Sequence, residues 1–233
     1  MMEEKYLDID LNCHVVYSEV CKKIIQEKIA IHYPENKDEI WSQIQQQYVD
    51  YLKKWRTDLG GKRNYHNGQG GTYDSIAMMC YWVVCKEKTD IKEVEEMMNS
   101  LFLPSFRKLS FVDINKPFWK KILYYSFKVA AKKCSKWPDY DMEVAPYKKD
   151  EPIYYEFKTC PIADFARKFS LEEVIPAICN PDYAGLAYMS ANLIRKGNCC
   201  SDDKCDYTIC GDKDELCKKH PQYVDEKGYI RNK

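Results

Sequence analysis

The stretch CPIADFARKFSLEEVIPAICNPDYAGL, residues 160–186, sets Cys160 directly before a proline and places Asp182 three residues after Cys179. A cysteine at a helix start feels free backbone amides and the positive end of the helix dipole, both of which favour the nucleophilic thiolate. Cys160 is therefore a candidate nucleophile, set against the plainer reading of a buried thiol packing as a small hydrophobe. Cys179 follows a predicted helix C-terminus, where the dipole gives no help, but Asp182 lies close in a proline-containing turn. A carboxyl there would carry a proton or hold a polar substrate group; the plainer reading is a turn cap. Cys160, Cys179 and Asp182 form the expected catalytic set.

Binding groups are expected on both sides of this stretch. Arg195 ends a predicted strand and offers a planar fork suited to a carboxylate. Cys205 and Asp206 open the next strand, across a hairpin from it. In the front half, GGKRN at 60–64 lies in a glycine- and asparagine-rich loop, 57–75, which supplies Lys62, Arg63, Asn64 and His66. It lacks the spacing of a P-loop, so cations that meet an anionic substrate are the better reading. Lys62, Asn64, His66, Arg195, Cys205 and Asp206 are taken as the substrate-binding set. Neither H-E-x-x-H nor G-x-S-x-G occurs, which leaves a zincin or serine-hydrolase site without support.

The 12 cysteines contain no C-x-x-C pair. The run CCSDDKCDYTICGDKDELC, which holds Cys199, Cys200, Cys205, Cys210 and Cys217, fits no closed tetrahedral metal site. No cofactor and no metal ligands are expected. The competing metal reading has Cys160, Cys179, Asp182 and Cys205 converge on zinc and activate a water. In a reducing compartment a disulfide framework is not expected either. The acidic N-terminus MMEEKYLDIDLN has no signal-peptide pattern and no apolar run approaches a membrane span, so a cytoplasmic protein is expected.

The elements that must position these residues follow from periodicity. Val16, Val20, Ile24 and Ile25 fall at helical spacing, as do Ile40, Trp41, Ile44, Tyr48, Tyr51, Leu52 and Trp55, with a break at Tyr33–Pro34. A third helix begins near Thr72. Asp90 with Glu93 forms a capping-box pattern for a helix to about Leu101, and Pro117 opens another to about Lys133. The pattern then alternates: YDMEVAPYKKDEPIYYEFKTC reads as a hairpin, and LAYMSANLIRKG and KCDYTICGD read as a second one. Between them a short helix follows Pro161, and Ser170 with Glu173 opens another that stops near Cys179. The expected fold is α+β: a helical N-terminal half packed on a small antiparallel sheet with short helices. Its expected divisions are 1–137, helical with the glycine-rich loop 57–71; 138–211, carrying the cysteine motifs; and a polar appendage, 212–233, on one globular unit.

Lysine plus arginine and aspartate plus glutamate number 36 each, so no basic excess exists for nucleic acid. At 45% hydrophobic and 14% aromatic, the chain has enough apolar surface for a core without cross-links. The expected partner is a small-molecule substrate, with no nucleic acid, no membrane and a possible homo-oligomer.

The ordered set GGKRN (60–64), CPI (160–162), CNPDY (179–183), IRKG (194–197) and CDY (205–207) resembles the L-2-amino-thiazoline-4-carboxylic acid hydrolase family. The resemblance spans roughly 40–210. Tyr65 stands where that family usually has proline, and Tyr207 where it commonly has phenylalanine. The resemblance implies hydrolytic opening of a cyclic C–N bond in a small carboxylated heterocycle, the named reaction giving N-carbamoyl-cysteine. It implies attack by Cys160 or Cys179, proton transfer by Asp182, and Lys62, Asn64 and Arg195 on the substrate carboxylate. The cysteine-bearing half also resembles small-molecule-binding sensor domains, which would bind without turnover.

Overall fold

The computed structural model describes residues 17–55, 70–135 and 140–233. The front half is helical: α1 (Glu19–His32), α2 (Lys37–Lys54), α3 (Gly70–Cys85), α4 (Ile91–Arg107) and α5 (Pro117–Cys134). β1 (Met142–Val144) and β2 (Ile153–Phe157) follow, then α6 (Pro161–Phe169), a 3₁₀ turn, α7 (Ile175–Cys179) and α8 (Pro181–Ala187). β3 (Ala191–Ile194), β4 (Cys205–Gly211), α9 (Glu215–Lys219), β5 (Gln222–Val224) and β6 (Ile230–Asn232) complete the chain. The fold is α+β, as expected.

The two hairpins join edge to edge into an antiparallel sheet of order β1-β2-β4-β3. Its register sets Tyr155 opposite Tyr207 and Phe157 opposite Cys205. Side chains alternate faces along a strand, so these four residues share one face. The rings of Tyr155 and Tyr207 stack there at 4.5 Å.

Two hydrophobic clusters form. One gathers α1–α4 with α6 and α7. The other lies between α5, α8 and the sheet. α3 is buried on nearly every side from Thr72 to Tyr81, consistent with a helix apolar all round at the centre of a helical layer. Its one buried carboxylate, Asp74, accepts from the Ser18 amide at 2.6 Å. Ser18 in turn caps α1 through its own hydroxyl.

Several expected details differ. In α1 the buried stripe is Cys21, Ile25 and Ile29, while Val20 is 53% exposed; the face that packs is chosen by the neighbouring helices. α3 begins at Gly70, inside the stretch that composition marks as loop. α4 runs past Pro104 to Arg107, because its last turns pack on α8. Ser170 opens no capping box. It takes a left-handed φ of 56° and closes α6, with the Leu171 amide reaching back to the Ala166 carbonyl. Asp182 lies in the first turn of a helix, since Asn180 keeps helical angles and Pro181 suits the first helical position. Leu186–Ala187 is the end of α8, and the chain turns at Ser190 (φ 52°) before β3.

The segment after Asp212 is stitched into the molecule. Buried Asn180 donates to the Gly228 carbonyl at 3.0 Å and accepts from the Ile230 amide at 3.0 Å. Asn232 accepts from the Arg195 amide and the Tyr183 hydroxyl, at 2.9 and 3.1 Å. Cys210 and Cys217 form a disulfide that ties α9 to β4, a single cross-link where no disulfide framework is expected.

Two outcomes test this packing. A Cβ at Gly185 would meet the Phe106 ring at 2.8–3.0 Å. Gly185→Ala should therefore destabilise by about 1–3 kcal/mol through overpacking, read as a lower urea midpoint at unchanged slope. Burial raises the Asp74 carboxyl from 3.8 to about 6. The folded state thus holds that proton more tightly than the unfolded chain, and stability falls as pH rises from about 4 through 6. The fall amounts to about 2–3 kcal/mol at roughly 1.4 kcal/mol per pKa unit. Asp74→Asn keeps the acceptor for Ser18 and should flatten the melting temperature across that window.

Candidate functional site

A cavity of about 340 Å³ opens where the two hydrophobic clusters meet. Cys160, Cys179, Asp182 and Cys205 all line it. Each arrives for a local reason. Pro161 at the first helical position makes Cys160 the N-cap of α6. Cys179 ends α7, and Asp182 lies in the first turn of α8. Cys205 opens β4 on the face shared with Tyr207.

Behind the cavity lies Arg195, 2% exposed. One guanidinium nitrogen reaches Asp182 Oδ2 and the Tyr207 hydroxyl, each at 3.3 Å; the other donates to the Cys179 carbonyl at 3.2 Å. Tyr207 donates to the same Asp182 oxygen at 2.8 Å. The guanidinium also lies over the Tyr183 ring, 4.9 Å from its centre. Asp182 thus accepts from two fixed donors while 40% of its side chain stays accessible from the cavity. Burial still raises its carboxyl pKa, against the lowering effects of Arg195 and Tyr207.

The thiols titrate high. Burial raises Cys160, although the amides of Ala163 and Ile162 and the charge of Arg167 pull the other way. Burial also raises Cys179 well above its ordinary value, with Arg195 opposing, and carries Cys205 to about 12. The helix-start effect expected at Cys160 is present, but desolvation outweighs it. At rest these groups are thiols.

The structure brings the expected residues together unevenly. Arg195 stands behind Asp182 with its donors engaged inside the protein, rather than in the lining. Asp206 turns to the opposite sheet face, where its carboxylate accepts from the amides of Lys196 and Gly197 at 3.0 and 2.6 Å and fixes the β3–β4 turn. Lys62, Asn64 and His66 lie outside the described residues. Among the described residues no three histidine, cysteine, aspartate or glutamate side chains group to hold a metal ion, so the zinc alternative finds no ligand set there. No described helix is long and apolar enough to cross a membrane.

Sequence reasoning missed four residues of consequence. Tyr207 orients Asp182, and its hydroxyl would be lost with the phenylalanine common in the family resembled. Tyr140 lines the cavity and packs against both hydrophobic clusters. Asn180 and Asn232 brace the α7–α8 corner and the Arg195 backbone. No periodicity marks Asn180 or Asn232 as a strut. The alternation of β4, by contrast, separates Cys205 from Asp206 without coordinates.

No curated protein and no solved structure matches the chain significantly. The family model for L-2-amino-thiazoline-4-carboxylic acid hydrolase matches residues 70–209. That span contains Cys160, Cys179, Asp182, Arg195 and Cys205, and leaves GGKRN outside it. Covering more than half of the sequence, from the central helix α3 through strand β4, it includes every described wall of the cavity, and the chain belongs to the L-2-amino-thiazoline-4-carboxylic acid hydrolase family.

Proposed function

We propose that the chain hydrolyses the ring of a 2-amino-thiazoline-type substrate, with Cys160 as nucleophile and Asp182 as proton carrier. The observation that carries the reading is that Cys160, Cys179 and Asp182, from separate helices, line one cavity in a chain of this hydrolase family. Cys160 is preferred to Cys179 because helix-start amides and Arg167 assist its thiolate against burial and Cys200, whereas helix-start amides are absent at Cys179. Cys179 has Arg195 in favour but Cys205, Asp182 and Cys160 against.

The bonds balance as follows. The Cys160 thiol gives its proton to the basic ring nitrogen and forms a C–S bond to the amidine carbon. The ring sulfur leaves with its electron pair and takes the proton of Asp182. Water then adds to the same carbon and returns a proton to Asp182. Cys160 leaves with its electron pair, takes the hydroxyl proton and so frees a urea carbonyl. The sum is one water added. Formation of N-carbamoyl-cysteine keeps both C–N bonds of that carbon and breaks the ring C–S bond, so the bond opened in this proposal is C–S and not the C–N bond given with the resemblance.

An Asp182 carboxyl with a raised pKa suits the second step, because a proton held above the ordinary carboxylate range is available to a leaving thiolate. Arg195 and Tyr207 act as positioning residues, fixing the oxygen that accepts from them and leaving the other for the substrate. Lys62, Asn64 and His66 are assigned to the substrate carboxylate on their chemistry alone.

Cys160→Ala should abolish turnover of 2-amino-thiazoline-4-carboxylate, followed as release of free thiol, while Cys179→Ala loses less than tenfold. The reverse ranking would move the nucleophile to Cys179, and full activity in both variants would end the thiol mechanism. Asp182→Asn should lower kcat by roughly 10²–10⁴-fold. In the wild type kcat should fall as pH rises through the elevated Asp182 pKa, and the Asn variant should lose that limb.

A further inference from the structure

The composition of the cavity wall says more about the substrate than the reacting groups do. Among the described lining residues six are aromatic: Phe102, Phe106, Tyr140, Tyr155, Phe157 and Tyr207. They come from both clusters. Phe102 belongs with the helical one, Phe106, Tyr155, Phe157 and Tyr207 with the sheet one, and Tyr140 with both. Ile162, Ile175 and Ile178 add apolar surface between them. Asp182 is the charged residue among the described lining, and its acidic oxygen is held by Arg195, which is not in the lining, and by Tyr207. A volume of about 340 Å³ is in the range of pockets that enclose ligands of drug size, about 300–1,000 Å³. A bare five-membered ring would leave much of this aromatic surface facing water.

We infer that the preferred substrate carries an aromatic substituent on the ring, seated against Phe102 and Phe106 while the amidine carbon faces Cys160. The inference rests on the reading that this cavity is the reaction chamber. Aromatic rings gain offset-stacked or edge-to-face contact with such a box in addition to area burial. The specificity is thus set by Phe102 and Phe106 on α4, a helix remote in sequence from the cysteine motifs.

Two compounds decide it: 2-amino-thiazoline-4-carboxylate and the same acid bearing a phenyl group on the ring carbon beside sulfur. Isothermal titration on Cys160→Ala protein, and on Cys160→Ser as a second inactive form, should give at least tenfold tighter binding of the phenyl compound. That preference should shrink severalfold when Phe102→Ala is added. Equal or weaker affinity for the phenyl compound would overturn the inference, whatever the turnover. A tighter phenyl compound left intact by a wild type that hydrolyses 2-amino-thiazoline-4-carboxylate would be an inhibitor and would overturn the inference too, whereas failure to hydrolyse either compound would sink the hydrolytic mechanism instead.

Discussion

A guanidinium sealed inside the protein sets the terms for everything around it. Arg195 is 2% exposed, and a buried charge without partners is unstable by several kcal/mol. Its partners come from separate elements: the carbonyl that ends α7, the carboxylate that begins α8, and a hydroxyl on β4. Satisfying one side chain therefore fixes the helical corner against the sheet. Asn232 holds the Arg195 backbone in place from the far end of the chain. Replacing Arg195 by a neutral residue would leave Asp182, open to the cavity over 40% of its side chain, with one donor fewer, so position and proton affinity of that carboxyl are controlled together.

The same burial explains the state of the sulfurs. Cys160, Cys179, Cys199, Cys200 and Cys205 all line the cavity, and desolvation is the first cause of the raised pKa of each. Each thiolate would also repel its neighbours. A cavity crowded with thiols is thus one in which no resting thiolate accumulates, and a nucleophile there must be deprotonated in the course of reaction. A basic amidine ring can take that proton itself. Cys210 and Cys217 lie apart from this group, joined to each other, which removes two further sulfurs from the titrating set.

The strongest sequence signals were local ones. Pro161 and Pro117 opened helices where expected, Asp90 capped α4 through the Glu93 amide, and alternation placed both hairpins. Cys160, Cys179, Asp182 and Cys205, each named from the sequence, line one cavity. Tertiary choices were not legible. Ser170 with Glu173 matches a capping box, but the same serine is needed in a left-handed turn to end α6. Arg195 reads from the sequence as a fork for a substrate carboxylate, and only the packing of α7 and α8 turns it inward onto the Cys179 carbonyl and Asp182. The 212–233 segment reads as a polar appendage, yet its Asn232 satisfies the buried Arg195 amide, and Asn180 at the α7–α8 corner in turn holds its Ile230 amide, pairings that hydrophobicity does not reveal.

The location of the cavity explains why its wall residues are also residues of the two cores. A void inside one well-packed core loses contacts on all sides and is costly. At a seam between two clusters, each core can close on its own residues and leave a gap at the border. The seam is lined by side chains that both clusters need, such as Tyr140, which packs against both. Phe106 is held in the same way: it faces the cavity on one side and the bare backbone of Gly185 on the other, with no room for a methyl group. Glycine at 185 lets α4 and α8 approach closely, and that approach sets how far Phe106 projects toward the thiols. The shape of the cavity is therefore written at a helix–helix contact behind its wall as much as at the thiols and carboxyl that line it.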